Sequence, residues 1–235
     1  GCPVFDFENN QINMENRVDF MKGSKKLMLH YDYFDNDALV FDRVHSDSVK
    51  LYSTKTGSGV EVSFGDFDFV LASLHNLKNM EDFYFIDFNN CNISEILKLY
   101  FNELAETATF SDFDSLAHLT YPLRYIFETT WEYPDLTPYQ DVIDDIYRTL
   151  ISNNKALEIN TSGLFKPIGR TLPDEFQLKR YRELGGKLIT VGSDAHTSTA
   201  VGNGIEEGIR LAHKCGFKSY TIFEKRRPIA MPIEF

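Results

Sequence analysis

Thiols, tryptophan and positive charge are all scarce in this chain. Three cysteines (Cys2, Cys91 and Cys215) in 235 residues are too few and too scattered for a disulfide framework or a zinc knuckle, so a reducing, cytoplasmic setting is expected. Lysine and arginine number 24 against 35 aspartate and glutamate, and the net charge of -11 repels a phosphate backbone; nucleic-acid binding is not expected. No run approaches the roughly 18 apolar residues that span a bilayer. The first residue is Gly1, as after tag cleavage or processing, and no basic stretch followed by an apolar one comes next, so no membrane partner is expected either. Trp131 is the lone tryptophan beside 20 Phe and 12 Tyr, which fall mostly within periodic apolar patterns and read as core packing rather than base stacking.

What the chain does have is enough apolar material, 43% of residues, to bury one sizeable core, and a single domain over residues 1–235 is expected. From Phe67 onward short apolar strands alternate with amphipathic helices. "FDFVLAS" reads as a strand, and "ISEILKLYFNEL" sets Ile93, Ile96, Leu97, Tyr100, Phe101 and Leu104 on one helical stripe. "FDSLAHL" reads as the next strand; Thr137 then supplies an N-cap with Pro138 at the first helical position, ahead of a stripe from Val142 to Ile151. "ALEIN" is a strand, Pro173 to Leu184 a helix stopped by Gly185-Gly186, "KLITVGS" a strand, Ile205 to Cys215 a helix ended by Gly216, and "SYTIF" the last strand. Such alternation implies parallel β-α units, in a barrel or a doubly wound sheet. The segment from Phe127 to Tyr139 reads as a packed connection or as a cover for a site. Residues 1–58, rich in Asp and Asn, show no sustained period and read as a loop-rich or atypical opening.

Polar residues fall at the ends of these strands. His75 follows "FVLAS", His118 ends "DSLA", Glu158 and Asn160 lie in "ALEIN", and Asp194 and His196 follow "LITVG". In a parallel β-α barrel the C-terminal ends of the strands open onto one face, where active sites form. Any one of these residues by itself is more ordinary as a hydrogen-bonded core or surface group; the repeated placement points to a shared site. Imidazoles and carboxylates without thiolates suit Zn, Mn or Fe and leave positions for water and substrate oxygens.

The segments "DFDFVLASLHNL", "FDSLAHLTYPLRY", "LEINTSGL", "GGKLITVGSDAHT" and "FEKRRP", in this order over Gly59 to Pro228, together resemble the PHP (polymerase and histidinol phosphatase) superfamily, histidinol-phosphatase type. The resemblance implies an α/β fold, a distorted (β/α)7 TIM-like barrel with a shortened or atypical N-terminal part and a recognisable core over residues 59–228. It implies two or three divalent metal ions (Zn, Mn or Fe) that neutralise phosphate oxygens and acidify an attacking water. By motif, Glu61 in "GVEV" looks like the bridging carboxylate, His75, His118, Asp194 and His196 look like metal ligands, and Arg124 in "PLRY" resembles the arginine that grips the substrate phosphate, a task suited to its planar fork. Asp194 or His196 would protonate the leaving alkoxide. The family's His-x-His pair is absent, and the spacing from Glu61 to Phe67 leaves no room for an intervening helix; His30 in "LMLHYDYF" stands as a candidate for the second-strand ligand, and His45 for half of the missing pair.

The expectation is therefore a metal-dependent phosphomonoesterase acting on a small phosphorylated substrate, L-histidinol phosphate first. A PHP phosphoesterase with another small substrate and a non-catalytic relic that binds a ligand or partner are the alternatives. The sequence fixes no oligomeric state.

Overall fold

The structure, a computed structural model, describes residues 68–78 and 80–235 in full and residues 4–6, 11–13, 39–45, 48–53 and 59–63 as backbone strands. Its centre is a four-stranded parallel sheet in the order β6 (Leu71–Ala72), β7 (Ser115–Leu116), β8 (Ala156–Asn160) and β9 (Ile189–Gly192). Helix α1 (Ile93–Ala108) connects β6 to β7, α2 (Pro122–Thr130) and α3 (Gln140–Ser152) lie between β7 and β8, α4 (Glu175–Glu183) between β8 and β9, and α5 (Ile205–Lys214) follows β9. Strands adjacent in the chain are thus adjacent in the sheet, as helical crossovers between parallel strands require. Among the described residues the sheet is open, with no hydrogen-bonded strand leading from β9 back to β6. The described fold is accordingly α/β with a parallel sheet, and the expected barrel closure is not seen in it.

The helices form where the apolar spacing places them. Asn92 caps α1 by accepting from the Glu95 amide, and Ile96, Leu97, Tyr100, Phe101 and Leu104 are buried on one face, packed toward α3. Helix α3 buries Ile143, Ile146, Tyr147 and Leu150. Its start differs from expectation: Asp135 captures both the amide and the hydroxyl of Thr137, at 2.9 and 2.7 Å, so Thr137 enters a short 3-10 turn instead of capping the helix. Helix α4 begins at Glu175, two residues after Pro173, because the Asp174 carboxylate accepts from the Gln177 amide and takes the cap position.

Two further corrections concern strands. "SYTIF" is not the last one: β10 (Ser219–Glu224) turns back into β11 (Arg227–Pro232) as an antiparallel hairpin. The Lys225-Arg226 turn holds both residues at positive φ, 48° and 64°, as tight hairpins demand, and Asp68 and Asp114 secure it through the Lys225 amide and the Arg226 guanidinium. The opening segment is also more regular than expected. Strands β1 (Val4–Asp6) and β2 (Gln11–Asn13) pair, and β3 (Leu39–His45), β4 (Ser48–Ser53) and β5 (Gly59–Ser63) form an antiparallel sheet with a register shift between Arg43 and His45. Period-two alternation in "SVKLYS" and "GVEVS" carries that signal. Among the described residues no helix is long and apolar enough to cross a membrane.

Candidate active site

Strand β8 shows how the sheet builds the site. All five of its residues are buried, with Leu157 and Ile159 in the apolar core, while Glu158 and Asn160 alternate onto the opposite face. Glu158 Oε2 accepts the His118 amide at 2.9 Å and Asn160 Nδ2 at 3.3 Å, tying the end of β8 to the residue that leaves β7. His118 occupies a positive-φ position (22°), and its ring meets that of His75, beyond the end of β6, with the two Nε2 atoms 2.9 Å apart. The Tyr121 ring closes over both imidazoles, with centroids 4.4 and 4.6 Å away.

Pro122 opens α2 and brings Arg124 to the same place. The Arg124 guanidinium lies against the Tyr121 and Tyr125 rings, 4.6 and 4.7 Å from their centroids, and donates to the Tyr125 hydroxyl at 2.7 Å, Ser162 Oγ at 3.0 Å and Asp194 Oδ2 at 3.4 Å. Asp194 is the second strained position, at φ 48°; its side chain is 5% exposed, whereas that of His196, Nε2 3.5 Å from Asp194 Oδ1, is 40% exposed and faces solvent. The loop bearing this pair is fastened at both ends to Thr161: the Thr161 amide donates to Gly192 O at 2.8 Å and its hydroxyl to Asn203 O at 2.7 Å.

Burial lifts the Glu158 carboxyl to about 7, and the Asp194 charge adds to the shift, against the lowering effect of its hydrogen bonds from His118 and Asn160. Burial likewise raises the Tyr121 and Tyr125 hydroxyls, keeping both protonated. Asp82 accepts from Tyr121 at 3.2 Å and the two hydroxyls are 3.0 Å apart, so the chain of donors runs Arg124, Tyr125, Tyr121 and ends on the Asp82 carboxylate as acceptor.

The His75–His118 pair brings two imidazoles together, and the neighbouring donors are carboxylate and imidazole with no thiol, a set that suits zinc and other divalent ions. The donor chemistry therefore fits a divalent metal. Among the described residues no group of three His, Cys, Asp or Glu side chains closes around a single point.

Of the residues expected at the site, His75, His118, Arg124, Asp194 and His196 fall in this region, with Arg124 bonded to Asp194 and His75 to His118. Glu61 lies on β5, opposite Lys50, in the antiparallel sheet; its side chain and all of His30 lie outside the described residues, and only the backbone of His45 is described. The expected connection from Phe127 to Tyr139 is helical as far as Thr130, since α2 ends only at Trp131 in a left-handed conformation. Ser162, Tyr121 and Tyr125 are the residues that the sequence reading did not single out. A hydroxyl just past "LEIN" and a Tyr beside Arg124 were the available signals.

Residues 60–162 match the PHP domain family. The chain is 33% identical over 207 residues to a probable histidinol-phosphatase of Thermotoga maritima, covering 84% of this chain and 81% of that one. It is 27% identical over 243 residues to a probable histidinol-phosphatase of Clostridium acetobutylicum, covering 93% of each. Among solved structures, histidinol phosphate phosphatase of Lactococcus lactis, complexed with Zn, L-histidinol and phosphate, matches with a TM-score of 0.55 at 26% identity, over 69% of this chain and 62% of that one.

Proposed function

This chain belongs to the PHP domain family, histidinol-phosphatase type, and on that footing we propose that it hydrolyses L-histidinol phosphate to L-histidinol and phosphate, a step of histidine biosynthesis in the cytoplasm. The observation that carries the reading is the meeting of Arg124 with Asp194 beside the His75–His118 pair, which joins a phosphate-binding fork to metal-type donors. The distorted (β/α)7 barrel belongs to the same proposal, with the four parallel strands as part of its wall and residues 59–228 as its core.

Arg124 holds the phosphate. Tyr125 engages only one of the hydrogens on Nη2, so the guanidinium keeps a donor there for a substrate oxygen, while Nε is buried from solvent. His75, His118, Asp194 and His196 would hold the metal, two or three ions of Zn, Mn or Fe in the full site. When bound, divalent ions neutralise the phosphate oxygens and make water a better nucleophile. Glu158 fixes the His118 backbone, and Asp194 or His196, 3.5 Å apart, would give a proton to the leaving alkoxide oxygen.

Phosphate release from L-histidinol phosphate, followed with the metal-loaded protein, tests the reading. Turnover that disappears on chelation and returns on reloading is the expected result. A metal-loaded protein that leaves this ester intact but cleaves another small phosphate ester would keep the family and overturn the substrate.

A further inference from the structure

Ser162 follows β8 by two residues and touches both halves of the site. Its hydroxyl has a single hydrogen and three polar neighbours: Asn160 Oδ1 at 2.6 Å, Arg124 Nη1 at 3.0 Å and Asp194 Oδ2 at 3.4 Å. Asn160 is 1% exposed and cannot turn away, because its Nδ2 donates to Glu158 and its Oδ1 also accepts the Ser162 amide at 3.1 Å. The hydroxyl hydrogen therefore goes to Asn160, and the oxygen lone pairs face the guanidinium.

We propose that Ser162 is a positioning residue for Arg124, holding Nη1 with a neutral acceptor so that the guanidinium is kept for the phosphate rather than drawn fully onto Asp194. This rests on the reading of Arg124 as the phosphate ligand. Among the described residues Asp194 is the other acceptor of Nη1, and its 3.4 Å contact is long for a charge-assisted bond. Without the Ser162 oxygen the guanidinium turns toward that carboxylate, and a bond between Arg124 and Asp194 competes with a bond between Arg124 and substrate. A run of fixed groups, His118 amide to Glu158 to Asn160 to Ser162, thus sets the angle at which the arginine meets its anion.

The test uses the metal-loaded protein, with L-histidinol phosphate as substrate and inorganic phosphate as inhibitor. For Ser162→Ala, KM and the inhibition constant of phosphate rise together by about tenfold, the scale of one hydrogen bond to a charged group, while kcat falls by less and metal content is retained. Ser162→Thr keeps the hydroxyl and restores the phosphate inhibition constant; Ser162→Val, of the same shape as Thr but without the hydroxyl, does not. The Thr and Val pair answers the question even where the alanine protein folds poorly. In an Arg124→Ala background the Ser162 substitution has no further effect on phosphate inhibition. If Arg124→Ala weakens phosphate inhibition and Ser162→Ala and Ser162→Val leave it at the parent value, the positioning role is refuted while the phosphate-binding arginine stands. If Arg124→Ala itself leaves phosphate inhibition unchanged, the reading of Arg124 falls and takes this proposal with it.

Discussion

Replacing Gly192 with alanine tests how the site is held together. Gly192 does not require a left-handed backbone, so on conformational grounds alone the substitution would stabilise the protein by ~0.4–1 kcal/mol. Packing reverses the sign. A Cβ at this position would lie 2.3 Å from Glu158 Oε1 and 3.2 Å from its Cδ, and ordinary contact returns only after a shift of more than ~1 Å. Glu158 is 5% exposed and has nowhere to go without giving up the His118 amide and Asn160. A bond of this kind to a charged group contributes about 1.5–3 kcal/mol, so the net loss is roughly 0.5–2.6 kcal/mol, a Tm lower by about 1–10 °C for a chain of this size. Because the His118 backbone moves with Glu158, metal affinity falls as well. Thermal melts read the first effect and titration with zinc reads the second. A Gly192→Ala protein that melts with the parent and binds zinc equally well would refute the account of Glu158 as the clamp between β8 and the residue that leaves β7.

Further outcomes follow from the same geometry. His118→Ala and His196→Ala should lose both bound metal and turnover, measured by elemental analysis and phosphate release; full activity in either variant removes that residue from the centre. Glu61→Ala asks whether β5 contributes a ligand, with loss of metal expected, and unchanged metal content would confine the site to residues from His75 onward. Arg124→Ala should raise KM for the ester with metal content retained, and an unchanged KM would leave the arginine a structural role. Asp144 accepts from Arg180 and Gln140 between α3 and α4, and the Arg180 bond holds its carboxyl below the usual carboxylate range, against the opposing effect of burial. A depressed folded pKa gives stability that is present above the unfolded value and is lost as pH falls through the folded one. Asp144→Asn should therefore melt below the parent at neutral pH and converge with it in acid; a constant gap across that range would refute the ionic contribution.

Helices α1, α3, α4 and α5 were legible because long apolar stripes at helical spacing and punctuating glycines, such as Gly216 at φ 90°, leave little alternative. Helix α2 was not, since its nine residues include Tyr125, Phe127, Thr129 and Thr130, which dilute the period; Pro122 was the overlooked start signal. Strand β11 was hidden by Pro228 and Pro232, residues that argue against a central strand but are tolerated at an edge. The strand-end logic placed His75, His118, Asp194 and His196 correctly relative to the sheet. It set Glu158 among the carboxylates of the rim but not as the acceptor of the His118 amide, because that partner is 40 residues away. Ser162 was invisible for the same reason, as its partners Arg124 and Asp194 are distant in sequence and only the folded sheet joins them.

The double fastening at Thr161 separates two requirements that loops usually share. Asp194 lies two residues past one anchor and Asn203 forms the other, so the exposed stretch from Thr197 to Thr199 lies between fixed points and beyond both site residues. Doubling the length of such a stretch costs only about 0.6 kcal/mol in closure entropy. Residues can therefore be inserted at its tip while the carboxylate stays where it is, which makes this loop the natural place to graft new recognition onto an unchanged reaction centre.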